Sequence, residues 1–374
     1  MQEYEHNSML PDAMHLPCPS CGSQLLYTAE NQKLSCAHCG YLEAIDPSND
    51  LVLEQPLFDA IEQDQAFSSE APDQQHFQCE NCSAKFVIDS RDIKVNCGFC
   101  GSSKVNLNAY EHQYIQPIGI IPFYVARDKA EEHFKVWIKQ GWFTPFNFQQ
   151  FAKVNSLHGV YIPFWTYDAQ TNATWQGEAG HYYYETIQVR VNGKMQTQQI
   201  QKTRWTHRSG TLNHFFDDVL VVASGGLVQE DINRILPYRL TEVVNFDPRL
   251  MVGWEAEIYQ TGVKDAYEVG EKIMDHRLRN MCSAQLGGDT QRNLHVNSHK
   301  ADQTFKHIVL PLWVCSYNYK NRVYRFTING QTGRVYGQKP TSWIKIILVV
   351  LLVVAFLAGI WYLRETGIIA DFVQ

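Results

Sequence analysis

Residues 18–40 read CPSCGSQLLYTAENQKLSCAHCG, and residues 79–101 read CENCSAKFVIDSRDIKVNCGFCG. Each stretch holds two Cys-x-x-Cys pairs: Cys18/Cys21 with Cys36/Cys39, then Cys79/Cys82 with Cys97/Cys100. Both central gaps are fourteen residues, and each cysteine of the second set lies 61 positions after its counterpart. Tetrahedral Zn2+ takes four thiolates, and two tight Cys-x-x-Cys turns on a short hairpin supply them. Gly22, Gly98 and Gly101 flank the knuckles and permit the left-handed backbone that lets neighbouring sulfurs converge. Strands are predicted at 24–28 and 33–35, and at 85–88 and 93–96. The alternative is a pair of disulfides per module; the zinc-site spacing and the lack of a secretion signal disfavour it. His38 lies inside a knuckle and is a further candidate ligand, although four cysteines already suffice. Closed four-ligand sites have no open position for substrate, so both ions read as structural zinc. Modules this small have no core without metal, so chelation should melt them.

Working outward, the C-terminal part carries IILVVLLVVAFLAGIWYL over 346–363, eighteen residues without a charge. Counted from Trp343 it is 21 residues, about 31 Å of helix and enough to cross a bilayer core. Trp343, Trp361 and Tyr362 occupy interfacial aromatic-belt positions, and Lys345 can snorkel toward headgroups. The alternative is a buried core helix; such a helix usually shows a polar face, which this run lacks. Arg325, Arg334, Lys339 and Lys345 precede the span, whereas Arg364 follows it near Glu365 and Asp371. The positive-inside rule therefore puts the N-terminal domains of a single-pass protein in the cytoplasm. The opening MQEYEHNSMLPDAMHLP has no signal-peptide pattern, and a reducing compartment suits zinc-bound thiolates.

The sequence predicts an α+β protein: zinc ribbon 1 at 15–42, a flexible acidic linker at 43–76, zinc ribbon 2 at 77–105, and a mixed antiparallel-sheet and helix body at 110–340. A transmembrane helix at 343–363 and a short tail at 364–374 complete it. The linker holds nine acidic residues and no Lys or Arg, with one short helix near 57–61. In the body, 127–140 reads as a helix with Ala130, Phe134, Trp137 and Ile138 on one face. A second helix is expected at 263–285, stopped by Gly287-Gly288. A strand is expected at 159–167, two more at 182–191 and 197–207 flank the hairpin signal Asn192-Gly193, and Asn329-Gly330 signals a second hairpin. Pro122, Pro163 and Pro311 lie within apolar-aromatic runs, which points to edges or bulges. Ile-Pro-Phe-Trp (162–165) and Leu-Pro-Leu-Trp (310–313) suggest a weak internal repeat.

Catalytic signatures are missing. Gly193-Lys194, the lone Gly-Lys pair, lacks the upstream glycine and following hydroxyl of a phosphate loop. There is no Gly-x-Ser-x-Gly and no His-Glu-x-x-His. Ser224-Gly-Gly226 reads as a tight turn, His181, His207, His295, His299 and His307 as surface or packing residues, and Cys282 and Cys315 as buried thiols. We therefore assign no catalytic residues, no small-molecule cofactor site and no enzymatic activity. Nucleic-acid binding is disfavoured: ribbon 1 has one basic residue, Lys33, the linker is acidic, and the net charge is −7.

The arrangement resembles bacterial membrane-anchored proteins with tandem TFIIB-type zinc ribbons, some relatives of which are titled primosomal protein N′ or helicase-like. The knuckles at 18–22, 36–40, 79–82 and 97–101 carry the resemblance, with IIPF (120–123), VYIPFW (160–165), FDPRLMVGWEAEIY (246–259) and LPLWVCSYNY (310–319). Ser83 departs from the glycine at the other knuckles. The resemblance implies an adaptor that recruits or scaffolds SPFH-domain or phage-shock-type membrane-stress proteins, with homo-oligomers in the membrane plane compatible. A helicase role has no nucleotide-binding loop to support it. The alternative function is a nucleic-acid-binding zinc-ribbon membrane protein.

Overall fold

The computed structural model describes residues 16–46, 52–67, 76–79, 85–87, 105–106, 115–145, 153–191, 194–320 and 322–365. In chain order the strands are β1 (Leu25–Thr28), β2 (Lys33–Cys36), β3 (Leu42–Ala44), β4 (Gln55–Pro56), β5 (His76–Cys79), β6 (Lys85–Val87), β7 (Val105–Asn106), β8 (Gly119–Ile120), β9 (Lys153–Val191), β10 (Lys194–Val222), β11 (Val244–Asn245), β12 (Glu255–Ala256), β13 (Thr290–Tyr319), β14 (Arg322–Asn329) and β15 (Val335–Gly337). The helices are α1 (Leu57–Phe67), α2 (Arg127–Lys139), α3 (Gln229–Ile235), α4 (Val263–Leu286) and α5 (Trp343–Glu365). The α+β class expected from sequence is what folds.

The body is one sheet of order β10-β9-β13-β14-β15, with short strands β4, β8, β11 and β12 on its flanks. The strands expected at 159–167 and 182–191 are in fact one strand: β9 runs 39 residues, about 130 Å of strand contour. It pairs antiparallel with β10 from Phe164 to Val191 and with β13 from Lys153 to Gly180. Pro163 and Pro311 lie in these inner strands rather than at a sheet edge. Each is nevertheless tolerated, because the neighbouring strand ends there. Ala223 N–H donates to Pro163 O just past β10, and Gly330 N–H donates to Pro311 O just past β14. A proline nitrogen on that side therefore breaks no ladder bond. The two Pro-containing segments pair with each other, Pro311 opposite Tyr161.

Small side chains fix where α4 lies. Ala169, Thr171, Ala173, Gly177 and Ala179 alternate along one face of β9, interrupted by the larger Trp175, and α4 presents Val263, Ala266, Gly270, Met274, Leu278, Cys282 and Leu286 as its buried line. A Cβ on Gly177 would come within 2.8 Å of Leu286 Cδ2, so glycine there sets the separation. The helix ends on Gly287, with φ of 69°, where Arg208 Nη1 donates to Leu286 O at 3.0 Å and favours the negative helix terminus. Cys282 and Cys315 are buried.

β13 stops pairing at Thr290, opposite Gly180. Beyond it, among the described residues, β9 and β10 continue without a third strand for eleven rungs, from Arg204↔His181 to Lys194↔Val191, about 36 Å. The hairpin expected from Asn192-Gly193 is thus present, although those two residues lie outside the described ones.

The 43–76 segment corrects the flexible-linker expectation where it is described. Leu57 and Ala60 of α1 are buried against Trp165, Tyr167, Tyr259 and Val263. Asp64 accepts from Tyr259 Oη at 2.8 Å and from Val263 N–H at 3.1 Å, capping α4. Glu54 accepts from Thr304 Oγ1 at 2.8 Å. Acidic composition suggested solvation, yet these two carboxylates are spent on donors of the body.

Candidate metal centre and its seat

The first module folds as the hairpin β1–β2 with β3 added antiparallel, and isolated pairing of Pro17 with Gln24 closes the first knuckle. The two knuckles repeat one geometry. Gly22 N–H donates to Cys18 O at 2.8 Å and Gly40 N–H to Cys36 O at 2.9 Å, and both glycines have φ of 75°. The sulfurs of Cys18, Cys21, Cys36 and Cys39 all lie within 4.8 Å of one another. Cys18 Sγ to Cys39 Sγ and Cys21 Sγ to Cys36 Sγ are both 3.5 Å. A disulfide needs about 2.05 Å, so none is formed; a zinc–sulfur bond of about 2.3 Å places tetrahedral sulfurs about 3.8 Å apart. The donor set therefore fits one zinc ion. Hydrogen bonds from the Ser23 backbone and side chain hold the Cys21 thiol down from 9.0 to about 6, favouring the thiolate that a metal needs. Cys18 and Cys36 are buried, Cys21 and Cys39 exposed. His38 is exposed and is not one of the clustered ligands.

For the second expected site, Cys82, Cys97 and Cys100 lie outside the described residues. Of Cys79 the backbone alone is described, at the end of β5, which pairs with β6 and β7. A separate acidic group, Glu54, Asp168 and Asp217, brings carboxylates together, but Lys306 Nζ lies 3.3 Å from Glu54 Oε1 and 2.7 Å from Asp218 Oδ1. A lysine already supplies the cation there. Burial is the main cause raising the Asp168 carboxyl from 3.8 to about 6, opposed by the Asp218 N–H at 2.6 Å.

The first module does not float. Leu25, Tyr27, Leu34 and Ile45 share a core with Phe123, Tyr161, Leu250, Met251 and Trp313. Trp254 is the hinge pin: it stacks on Phe123 at 3.9 Å and donates its Nε1–H to Tyr27 O at 3.0 Å. Tyr27 N–H donates to Val252 O at 2.9 Å. Gln32 Nε2 donates to Phe123 O at 2.7 Å. The segment FDPRLMVGWEAEIY, noted from sequence without a role, builds this seat. Asp247 accepts from Arg249 N–H and ion-pairs its guanidinium at 2.7 Å. Gly253, at φ of 89°, turns the chain beneath Leu26. Tyr259 ties in α1. Its pairing of a Gly-Trp step with aromatic neighbours was the legible signal.

The structure also places the serine and histidines singled out from the sequence. Ser224 Oγ accepts from Gly226 N–H at 3.0 Å, closing its own turn. His181, His207, His295 and His299 are exposed. His307 is buried, its Nδ1 2.6 Å from Ile115 O, and burial pushes it from 6.5 to about 4, so it is neutral. At the C-terminal side, Trp343–Tyr362 is one helix long and apolar enough to cross a membrane, with none of it buried by the protein.

The chain is similar to the uncharacterized protein YdjG of Bacillus subtilis (strain 168), 25% identical over 330 residues that cover 87% of this chain and 89% of that one. No family model matches this chain, and no solved structure does.

Proposed function

We propose that the chain is a non-enzymatic, membrane-anchored zinc-ribbon adaptor. The observation that carries the reading is the placement of anchor and ribbon at opposite ends of β9. α5 follows Gly337, whose register through Phe326 and Cys315 leads to Leu157 near the start of β9. The bare β9–β10 ribbon ends at Val191, 34 residues further on, about 110 Å of strand. A two-stranded hairpin is marginal in water by itself, and among the described residues no third strand covers this one. The ribbon holds Arg190, Lys194, Lys202 and Arg204 against Glu185, a net +3 within a chain of net −7, so it suits an acidic protein partner. In this reading the first zinc ion, at Cys18, Cys21, Cys36 and Cys39, locks the N-terminal module onto the membrane-proximal end. A second ion at Cys79, Cys82, Cys97 and Cys100 orders the second ribbon. Both ions are structural.

The reading extends to a cytoplasmic orientation in the bacterial inner membrane and to an SPFH-domain or phage-shock-type partner assembly, with self-association in the membrane plane. A second reading, nucleic-acid binding, is favoured by the same cations interleaved with Tyr182, Tyr183 and Tyr184. The acidic 43–76 segment and the sparsely basic first module oppose it. The deciding experiment compares the full chain with one in which residues 181–203 are replaced by an Asn-Gly turn, both solubilised from native membranes. Loss of a co-purifying protein assembly supports the adaptor. Retention of every partner sinks it, and steeply salt-dependent DNA or RNA binding lost with the ribbon installs the second reading.

A further inference from the structure

The first turns of α5 have a neighbour. Gly141-Trp142-Phe143-Thr144-Pro145 follows α2, and Ser342 N–H donates to Phe143 O at 2.7 Å, tying this loop to the residue that precedes α5. Thr144 Oγ1 donates to Gly141 O at 2.8 Å, and Gly141 takes φ of 113°, so the loop turns back on itself with its aromatic pair outward. Trp142 is 88% exposed and Phe143 46%. Together with Lys345, Leu348 and Val349 they line a shallow cleft of about 380 Å3.

The depth of that contact identifies its environment. Leu348 and Val349 are five and six residues beyond Trp343, about 8–9 Å along a helix axis. The apolar face of an element lying in a bilayer interface reaches about 5–10 Å into the headgroup–acyl boundary, and tryptophan is enriched at that level. An indole this exposed beside an apolar helix matches the interfacial preference of tryptophan, with an apolar body and one polar N–H. We propose that the Trp142–Phe143 loop is a second membrane contact, seated among lipid at the headgroup–acyl boundary beside α5. The inference rests on the reading of α5 as a membrane span. Its consequence is mechanical: one helix anchors a body but leaves its tilt free, whereas a helix plus a wedge fixes the tilt and therefore the direction in which the β9–β10 ribbon projects.

The test uses the full chain reconstituted in vesicles of phosphatidylethanolamine and phosphatidylglycerol doped with a phospholipid that carries a photoactivatable group near the headgroup. Labelled peptides are mapped after illumination. The proposal expects label on the peptide containing Trp142–Phe143 and on α5, in clear excess over the peptide containing exposed Tyr184. Label on α5 without label on the 142–143 peptide overturns the wedge and leaves the anchor intact. Label on neither overturns the membrane span and the wedge with it. Equal label on the Tyr184 peptide also overturns the proposal, since the contact would then be indiscriminate.

Discussion

Gly159→Ala is the sharpest probe of how the metal module is held. Gly159 lies in β9 directly beneath Trp254, and a Cβ there would overlap Trp254 Cζ3, lie 2.5 Å from Cε3 and sit 3.2 Å from Phe123 Cζ. Carbon contacts are comfortable at about 3.5–4.0 Å, so the indole has to retreat by about 1 Å. It cannot retreat toward Phe123, which stacks on it at 3.9 Å and itself lies against the new Cβ. Movement away from that stacked pair strains the Nε1 bond to Tyr27 O. Overpacking of this kind costs about 1–3 kcal/mol, and because Trp254 bridges body and module, we assign most of that to undocking. The Tyr27 amide reports it directly, since its partner is Val252 O in the body. Hydrogen exchange at Tyr27 should accelerate by about 5- to 150-fold, while amides of α4 around Met274 keep wild-type protection. If Tyr27 exchanges at the wild-type rate in a folded Gly159→Ala protein, the module is not seated on Trp254 and the docking argument is wrong.

Three further outcomes are expected. Cys36→Ser, which removes a buried ligand, should lower bound zinc by one equivalent in elemental analysis; an unchanged load would exclude the Cys18–Cys39 cluster as a metal site. Leu57→Ala should cost about 2–5 kcal/mol in denaturant unfolding, because Leu57 is 1% exposed, whereas a free tether would tolerate it within about 0.5 kcal/mol. Asp168 and His307 should tilt the pH profile in opposite directions. The raised Asp168 carboxyl contributes stability fully present below pH 3.8 and lost as pH rises to about 6, whereas neutral, buried His307 loses stability as pH falls from 6.5 toward about 4. Relative to wild type, Asp168→Asn should therefore be more acid-sensitive between pH about 4 and 6 and His307→Gln less so, as read from the difference in Tm; parallel shifts in both variants would contradict the assignment.

The sequence carried what is local. The Cys-x-x-Cys spacing specifies a tetrahedral sulfur set whatever surrounds it, and its ligands at 18, 21, 36 and 39 converge as the spacing requires. The period of 263–285 and the Gly287-Gly288 stop specify α4 in the same way. What escaped was long-range. Nothing within 43–67 says that Asp64 meets Tyr259, 195 residues away, or that Glu54 meets Thr304, 250 residues away. An acidic run without its distant donors looks like a solvated tether. β9 was divided for a similar reason. Its middle, Ala169 to Ala179, is rich in small and polar residues and reads as a break by strand propensity. Those residues are small because α4 lies on one face of them, and a helix more than eighty positions later is invisible to a window of ten.

The docked module changes how the zinc acts. On a flexible tether, an ion would order a binding bead whose loss leaves the body untouched. Here Leu25, Tyr27 and Leu34 complete the core that also contains Phe123, Trp313 and Phe326, and Phe326 pairs with Gly337 at the foot of α5. On the proposed reading, a metal held there would stabilise the joint between the sheet and α5 rather than a remote recognition surface. Metal loss would bare one side of Trp254 and Phe123 and loosen the end of the sheet from which α5 leaves, while α4 keeps the central sheet packed. The far ribbon would still be folded, but it would no longer be held in a fixed direction. In an adaptor whose partner meets that ribbon, the zinc site governs presentation and the ribbon governs recognition. The two functions can then be separated by mutation: Cys36→Ser should leave a ribbon-binding partner's intrinsic affinity for the detergent-solubilised chain unchanged, yet reduce its recruitment to the bilayer.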